Sequence, residues 1–155
     1  DLLEVNILAM SRLCHAIGNL MAVQGGGQIL NVAGLAAVAP GPWMATYAAS
    51  KAYVMSFTEA LREELRPTGI KVSVLCPGPV RSARRPIPRL EGNSHCLSPE
   101  EVALYTVRAL AKNRALIMPV RRNRWLAFAP RVLPRWLVRK LAGFIHRRYC
   151  PVGME

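Results

Sequence analysis

An α/β fold with a parallel sheet covered by helices is predicted by three features of this sequence. Segments with apolar residues at three- and four-residue spacing alternate with short apolar runs, glycine and proline bound those runs, and the order is helix, strand, helix, strand. Strands separated by helices pair in parallel through right-handed crossovers, giving a three-layer α/β sheet. With 155 residues, 52% of them hydrophobic, the chain can form one domain with a real core but hardly two.

Residues 2–23 carry Leu3, Ile7, Leu8, Met10, Leu13, Ile17, Leu20 and Met21 at helical spacing, which predicts a largely buried helix ended by Gly25, Gly26 and Gly27. Residues 28–33 form a short apolar run, followed by a loop through Gly41 and Pro42. Residues 44–66 are rich in Ala, Met, Leu and Glu and free of internal glycine and proline; this second helix stops before Pro67 and Gly69. The next strand is 70–75, closed by Cys76, Pro77, Gly78 and Pro79.

Val80 to Leu97 has no periodicity and reads as a long loop or a flap. Order restarts at Ser98-Pro99-Glu100-Glu101, where a serine N-cap, a proline at the first helical position and a glutamate three residues after the cap make a capping box. That helix runs to about Lys112; 115–119 is a last short strand, and amphipathic helices follow near 122–129 and 134–148. The expected division is an α/β body over 1–119 and a basic helical tail over 120–155.

The four cysteines, Cys14, Cys76, Cys96 and Cys150, form no C-x-x-C pair, so neither a zinc site nor a disulfide framework is signalled, and a reducing, cytoplasmic setting fits. His15, His95 and His146 have no partners at ligand spacing, and no metal is expected. No run of about 18 uncharged apolar residues is present to span a membrane. The chain opens at Asp1 with an apolar pattern already under way, as expected of a piece of a longer protein. The formal net charge of +12 is concentrated at the C-terminus, where arginines crowd a tail whose sole acid is Glu155.

Tyr47-Ala48-Ala49-Ser50-Lys51 is a Y-x-x-x-K motif, and a spacing of four on a helix puts both side chains on one face about a turn apart. A tyrosine with a pKa of about 10 is a poor proton-transfer group at neutral pH, and a neighbouring cation favours its ionised form. Taken alone, the pair also suits plain packing with a solvated lysine. Its setting is more specific: a strand ending in Asn31-Val32-Ala33 leads through Pro40-Gly41-Pro42 into this helix, and the next strand ends in Pro77-Gly78.

With these motifs in this order, the chain resembles the C-terminal half of a short-chain dehydrogenase/reductase from Asp1 to about Pro119. The resemblance implies a partial Rossmann-like, doubly wound parallel sheet carrying a C-terminal amphipathic helical appendage. It also implies catalytic roles. Asn6 matches the family's asparagine, which holds a water for proton relay; Tyr47 matches the general acid/base; and Lys51 matches the residue that binds the ribose hydroxyls and lowers the tyrosine pKa. Tyr47, Lys51, Pro77, Gly78, Val80 and Ser82 would form the cofactor contacts, with NAD or NADP as the cofactor and an alcohol or ketone of a hydrophobic molecule as the substrate. A homodimer through 2–23 and 44–66 is implied as well.

Two positions depart from the family pattern. The serine expected thirteen residues before the tyrosine is Gly34, and neither Ala33 nor Leu35 offers a hydroxyl. Losing such a donor typically costs about 100- to 1,000-fold in rate. No glycine-rich turn between a strand and a helix is present to receive a pyrophosphate, because Gly25, Gly26 and Gly27 precede a strand. Only the nicotinamide half of a cofactor site is therefore expected, and the isolated chain should be impaired as a catalyst. The alternative is a non-catalytic module that keeps the fold for dimerisation or for binding a membrane surface. Arg81, Arg84, Arg85 and Arg89 suit either an acidic substrate group or ordinary solvated charge. In 121–148 aromatic and aliphatic residues interleave with arginines, which suits packing on the α/β body or peripheral attachment to anionic lipid. No nucleic-acid motif accompanies the charge. The strand at 28–33 should be left with an unpaired edge, which favours aggregation or a partner.

Overall fold

The computed structural model describes residues 1–81 and 96–149; Ser82, Arg84, Arg85, Arg89, His95, Cys150 and most of the expected 80–97 loop lie outside the described residues. Three strands, β1 (Gly27–Val32), β2 (Ile70–Leu75) and β3 (Leu116–Ile117), form a sheet in the order β1-β2-β3 with both pairings parallel. A π-helical turn at Glu4–Ala9 runs into α1 (Met10–Val23), and α2 (Ala45–Glu64) joins β1 to β2. After β2 come α3 (Pro99–Ala111), α4 (Arg121–Val132) and α5 (Arg135–Tyr149).

Alternation along the central strand divides the core between two faces. Ile70 and Val72 pack with Cys14 of α1, Ile29 of β1 and Leu61 of α2, while Val74 joins Val54 and Met55 of α2. Leu75 faces the other way, clustering with Ala109 of α3 and Ile117 of β3. Five of the six β2 residues are buried, as expected for a parallel strand covered on both sides. Buried Asn31 fixes β1 to the helices: its Nδ2 donates to Thr58 Oγ1 at 3.0 Å, and Cys14 Sγ donates to its Oδ1 at 3.5 Å. Arg62 of α2 donates to the Val72 carbonyl and, at 3.1 and 3.0 Å, to the carbonyl and side-chain oxygens of Asn113, clamping the turn between α3 and β3.

The α3 start is the expected capping box: Glu101 N–H donates to Ser98 Oγ at 3.2 Å and Ser98 N–H to Glu101 Oε2 at 2.7 Å. Ser98→Ala should therefore cost about 1 kcal/mol, read as a lower urea midpoint at unchanged m.

One expectation fails. Only Cys14 and Gly18 of α1 are buried, whereas Leu13, Leu20 and Val23 are 61%, 59% and 90% exposed. The apolar residues of 2–23 occupy two stripes, and the sheet covers only one of them. Periodicity records how many apolar positions a helix has, not what lies over each stripe. At the far side of the sheet β1 is the last strand among the described residues, and its Val32 side chain is half exposed.

Candidate active site

The site gathers where β1 and β2 end and α2 begins. Tyr47 lies on the first turn of α2 and Lys51 on the next, so one helix face presents both. Lys51 Nζ sits 5.7 Å from the Tyr47 ring centroid, within cation–π range, and donates at 3.1 Å to the Val32 carbonyl at the end of β1. The β1 terminus thus orients the lysine over the tyrosine. Burial pulls the Lys51 ammonium below the usual lysine range, opposed by the neighbouring Cys76 sulfur. Burial also raises the Cys76 thiol above its usual range, partly offset by the Gly34 backbone and Lys51. Cys76 is fully enclosed, so it packs as a wall of the site without the access that a nucleophile needs.

Asn6 reaches the same helix. Its Nδ2 donates to Ser50 Oγ at 3.0 Å, and Ser50 Oγ donates to the Tyr47 carbonyl at 2.8 Å. Asn6 itself belongs to the π-helical turn, a local widening frequent at functional positions. Ser50 is completely buried, so this relay of two hydrogen bonds ties the turn to the backbone that carries Tyr47. Sequence reasoning passed over Ser50, although its place inside the Tyr-Lys motif was a signal.

Gly34 stands where the family pattern places a serine. A Cβ built on it would lie 4.0 Å from Tyr47 Oη, so a side chain here would point at the tyrosine hydroxyl. The backbone, however, has φ 144° and ψ 169°, a region that side-chain-bearing residues avoid at a cost of about 1–3 kcal/mol. There is room for a side chain beside the tyrosine hydroxyl, but the backbone holds a conformation that favours glycine.

The Pro77-Gly78 segment is held from two sides. Leu35 N–H donates to the Pro77 carbonyl at 3.1 Å, and a Cβ on Gly78 would come 2.5 Å from Asn123 Nδ2 of α4. Only a glycine allows buried Asn123 to lie so close to this backbone. Asn123 is a second residue that the sequence did not flag, since nothing local links it to a partner 45 positions away. Val80 bridges to Leu97, and Arg81 N–H donates to the Leu97 carbonyl at 3.0 Å, closing the base of the intervening segment. Arg81 also pairs with Glu101 at 3.5 Å, with both side chains more than half exposed; a screened contact of this kind contributes little. Asn6, Tyr47, Lys51, Pro77 and Gly78 therefore share the carboxyl end of the sheet or the elements bonded to it.

These residues could hold the nicotinamide end of a dinucleotide. A lysine ammonium has three N–H donors, and one is directed to Val32, which leaves others for a ribose hydroxyl. Tyr47, 38% exposed, can offer its hydroxyl to an incoming oxygen. A bound nicotinamide would supply or accept the hydride, while Tyr47 could hold or release a proton at a substrate oxygen. No helix among the described residues is long and apolar enough to cross a membrane.

The short chain dehydrogenase family model matches residues 1–87. Ketoacyl reductase HetN of Nostoc sp. is 34% identical over 129 residues, which are 79% of this chain and 44% of that protein. A very-long-chain 3-oxoacyl-CoA reductase of Coprinopsis cinerea is 39% identical over 72 residues, covering 46% of this chain and 21% of that protein. Among solved structures, a 7beta-hydroxysteroid dehydrogenase superposes over 91% of this chain and 57% of its own, with a TM-score of 0.78 at 23% identity. A short chain dehydrogenase from Burkholderia cenocepacia in complex with NADP covers 90% of this chain and 56% of its own, with a TM-score of 0.73 at 25% identity. The chain spans less than half the length of these curated relatives. With the parallel sheet, the Tyr-Lys helix and the Pro-Gly turn in the family's order, the chain belongs to the short-chain dehydrogenase family.

Proposed function

We propose that this chain is the catalytic half of an NAD(P)-dependent short-chain oxidoreductase that interconverts a hydroxyl and a ketone on a hydrophobic molecule. The observation that carries the proposal is the placement of Lys51 Nζ, anchored on Val32 and directed over the Tyr47 ring. Asn6 acts through Ser50 as a positioning residue for Tyr47. Lys51, Tyr47 and the backbone of Pro77, Gly78 and Val80 hold the nicotinamide-ribose end. The adenosine end is served by residues beyond this set, consistent with the chain's share of its relatives' length and with the open edge of β1. The exposed Leu13, Ile17 and Leu20 stripe of α1 supports a homodimer, because an uncovered apolar helix face of this kind invites a partner.

The test is a titration with NADH and with NADPH, followed by nicotinamide fluorescence and a thermal melt. Saturable binding with a raised melting temperature, weakened by Lys51→Met, is expected. Folded protein that binds neither cofactor would leave the fold as a non-catalytic dimerisation module, the second reading that Gly34 favours. Gly34→Ser separates the two readings further. The backbone conformation predicts a stability loss of about 1–3 kcal/mol, while the new hydroxyl beside Tyr47 should raise turnover in any form of the protein that oxidises NADH or NADPH. A stability loss without any gain would argue against a competent Tyr-Lys pair.

A further inference from the structure

We propose that α4 and α5 together form a docking face for an anionic lipid surface. On α5, Val138 and Ala142 are buried against the body, yet the neighbouring Leu141, Phe144 and Ile145 remain 47%, 72% and 49% exposed. The apolar arc of this helix is wider than the strip the protein covers. On α4, Trp125 is 78% and Val132 69% exposed, which adds further uncovered apolar residues to the appendage.

Charge selects the occupant. Arg124, Arg135, Arg139, Lys140 and Arg147 are all exposed on the same two helices, and no acidic residue lies between Glu101 and Glu155. Among the described residues none of these five makes an ion pair. A second copy would set this positive surface against its own like charge, and an apolar protein groove would strip water from unpaired guanidinium groups. An anionic headgroup layer accepts both features: phenylalanine and leucine enter the acyl boundary, tryptophan rests at headgroup level, and long basic side chains extend from the apolar face to the phosphates. Lys140 already lies 5.6 Å over the Trp136 ring, placing cation and aromatic anchor side by side.

The face also adjoins the site. Arg147 lies 5.5 Å over Trp43, and a Cβ on Gly143 would touch Pro42 at 3.9 Å, both in the loop that leads into the Tyr47 helix. Lipid engaged through α5 would therefore border the entry to α2, where a hydrophobic substrate would be delivered. That last link rests on the proposed oxidoreductase function; the docking itself does not.

The experiment is co-sedimentation of the chain with vesicles of phosphatidylcholine alone and with vesicles containing phosphatidylglycerol, without cofactor. Anionic vesicles should be preferred by at least about tenfold, and the preference should collapse at about 1 M salt, where screening acts within about 3 Å. Leu141→Ser with Phe144→Ser, both at exposed positions, should abolish binding without moving the thermal melt, and Arg135→Glu with Arg139→Glu should do the same. Equal binding to neutral and anionic vesicles would overturn the proposal. So would retention of binding by the folded serine variant, absence of binding by a dimer in light scattering, or preferential capture of a nucleic-acid duplex that survives the serine substitutions. Because no nicotinamide is present, a negative result leaves the oxidoreductase reading intact, and a positive one does not depend on it.

Discussion

Replacing Tyr47 by phenylalanine should lower nicotinamide-linked turnover about 100- to 10,000-fold, the largest functional effect expected of any single substitution here. The reasoning is one of supply. Gly34 contributes no hydroxyl, and Ser50 is buried with its Oγ committed to Asn6 and to the Tyr47 carbonyl. On the proposed function Tyr47 would be the proton-transfer group, the hydroxyl-bearing side chain that lies under the Lys51 ammonium. Removing one exposed hydroxyl costs little packing, so the melting temperature should hold while kcat falls and cofactor affinity changes little. Lys51→Met should differ in kind, lowering kcat and weakening cofactor binding together, because its ammonium would serve both the tyrosine and the ribose. Steady-state kinetics on a form of the protein that turns over NADH or NADPH checks both; unchanged turnover in the tyrosine variant would remove Tyr47 from the chemistry.

Ile117→Ala should destabilise the fold by about 2–5 kcal/mol, the largest expected effect on stability. Ile117 is fully buried and is one of only two residues in β3. Its side chain packs against Leu75 and Ala109, and its carbonyl accepts from Cys76 N–H at 2.8 Å. The cavity would open between the sheet and α3, where a two-residue strand has little room to shift and refill it. Against a typical total of about 5–15 kcal/mol, the loss is a large fraction, and equilibrium urea unfolding should show it as a lower midpoint. A loss below about 0.5 kcal/mol would mean that β3 is not part of the cooperative core.

The elements of this protein were legible because their signals are local. The Ser98-Glu101 capping box is written within four residues and forms as written, and β2 appears at 70–75 as its apolar run and flanking glycine and proline indicate. Tyr47 and Lys51 could be paired from spacing because a helix brings positions four apart onto one face. The burial of α1 was not legible for the converse reason. A helix carrying two apolar stripes reads as buried, and nothing in its own residues says that the sheet covers just the stripe holding Cys14 and Gly18.

The amino-acid order alone specifies the alternation of helices and strands, the family motifs and their succession, a glycine at the position thirteen before Tyr47 and the concentration of positive charge in the tail. Packing of the elements on one another is what makes Val32 anchor Lys51, links Asn6 to Tyr47 through Ser50, lays Asn123 against Gly78, and gives Gly34 a backbone conformation that resists a side chain. Spacing along one helix or strand fixes what its own period brings together. Contacts between residues tens of positions apart arise from how the elements pack, and the sign of φ at a glycine is set by the chain around it.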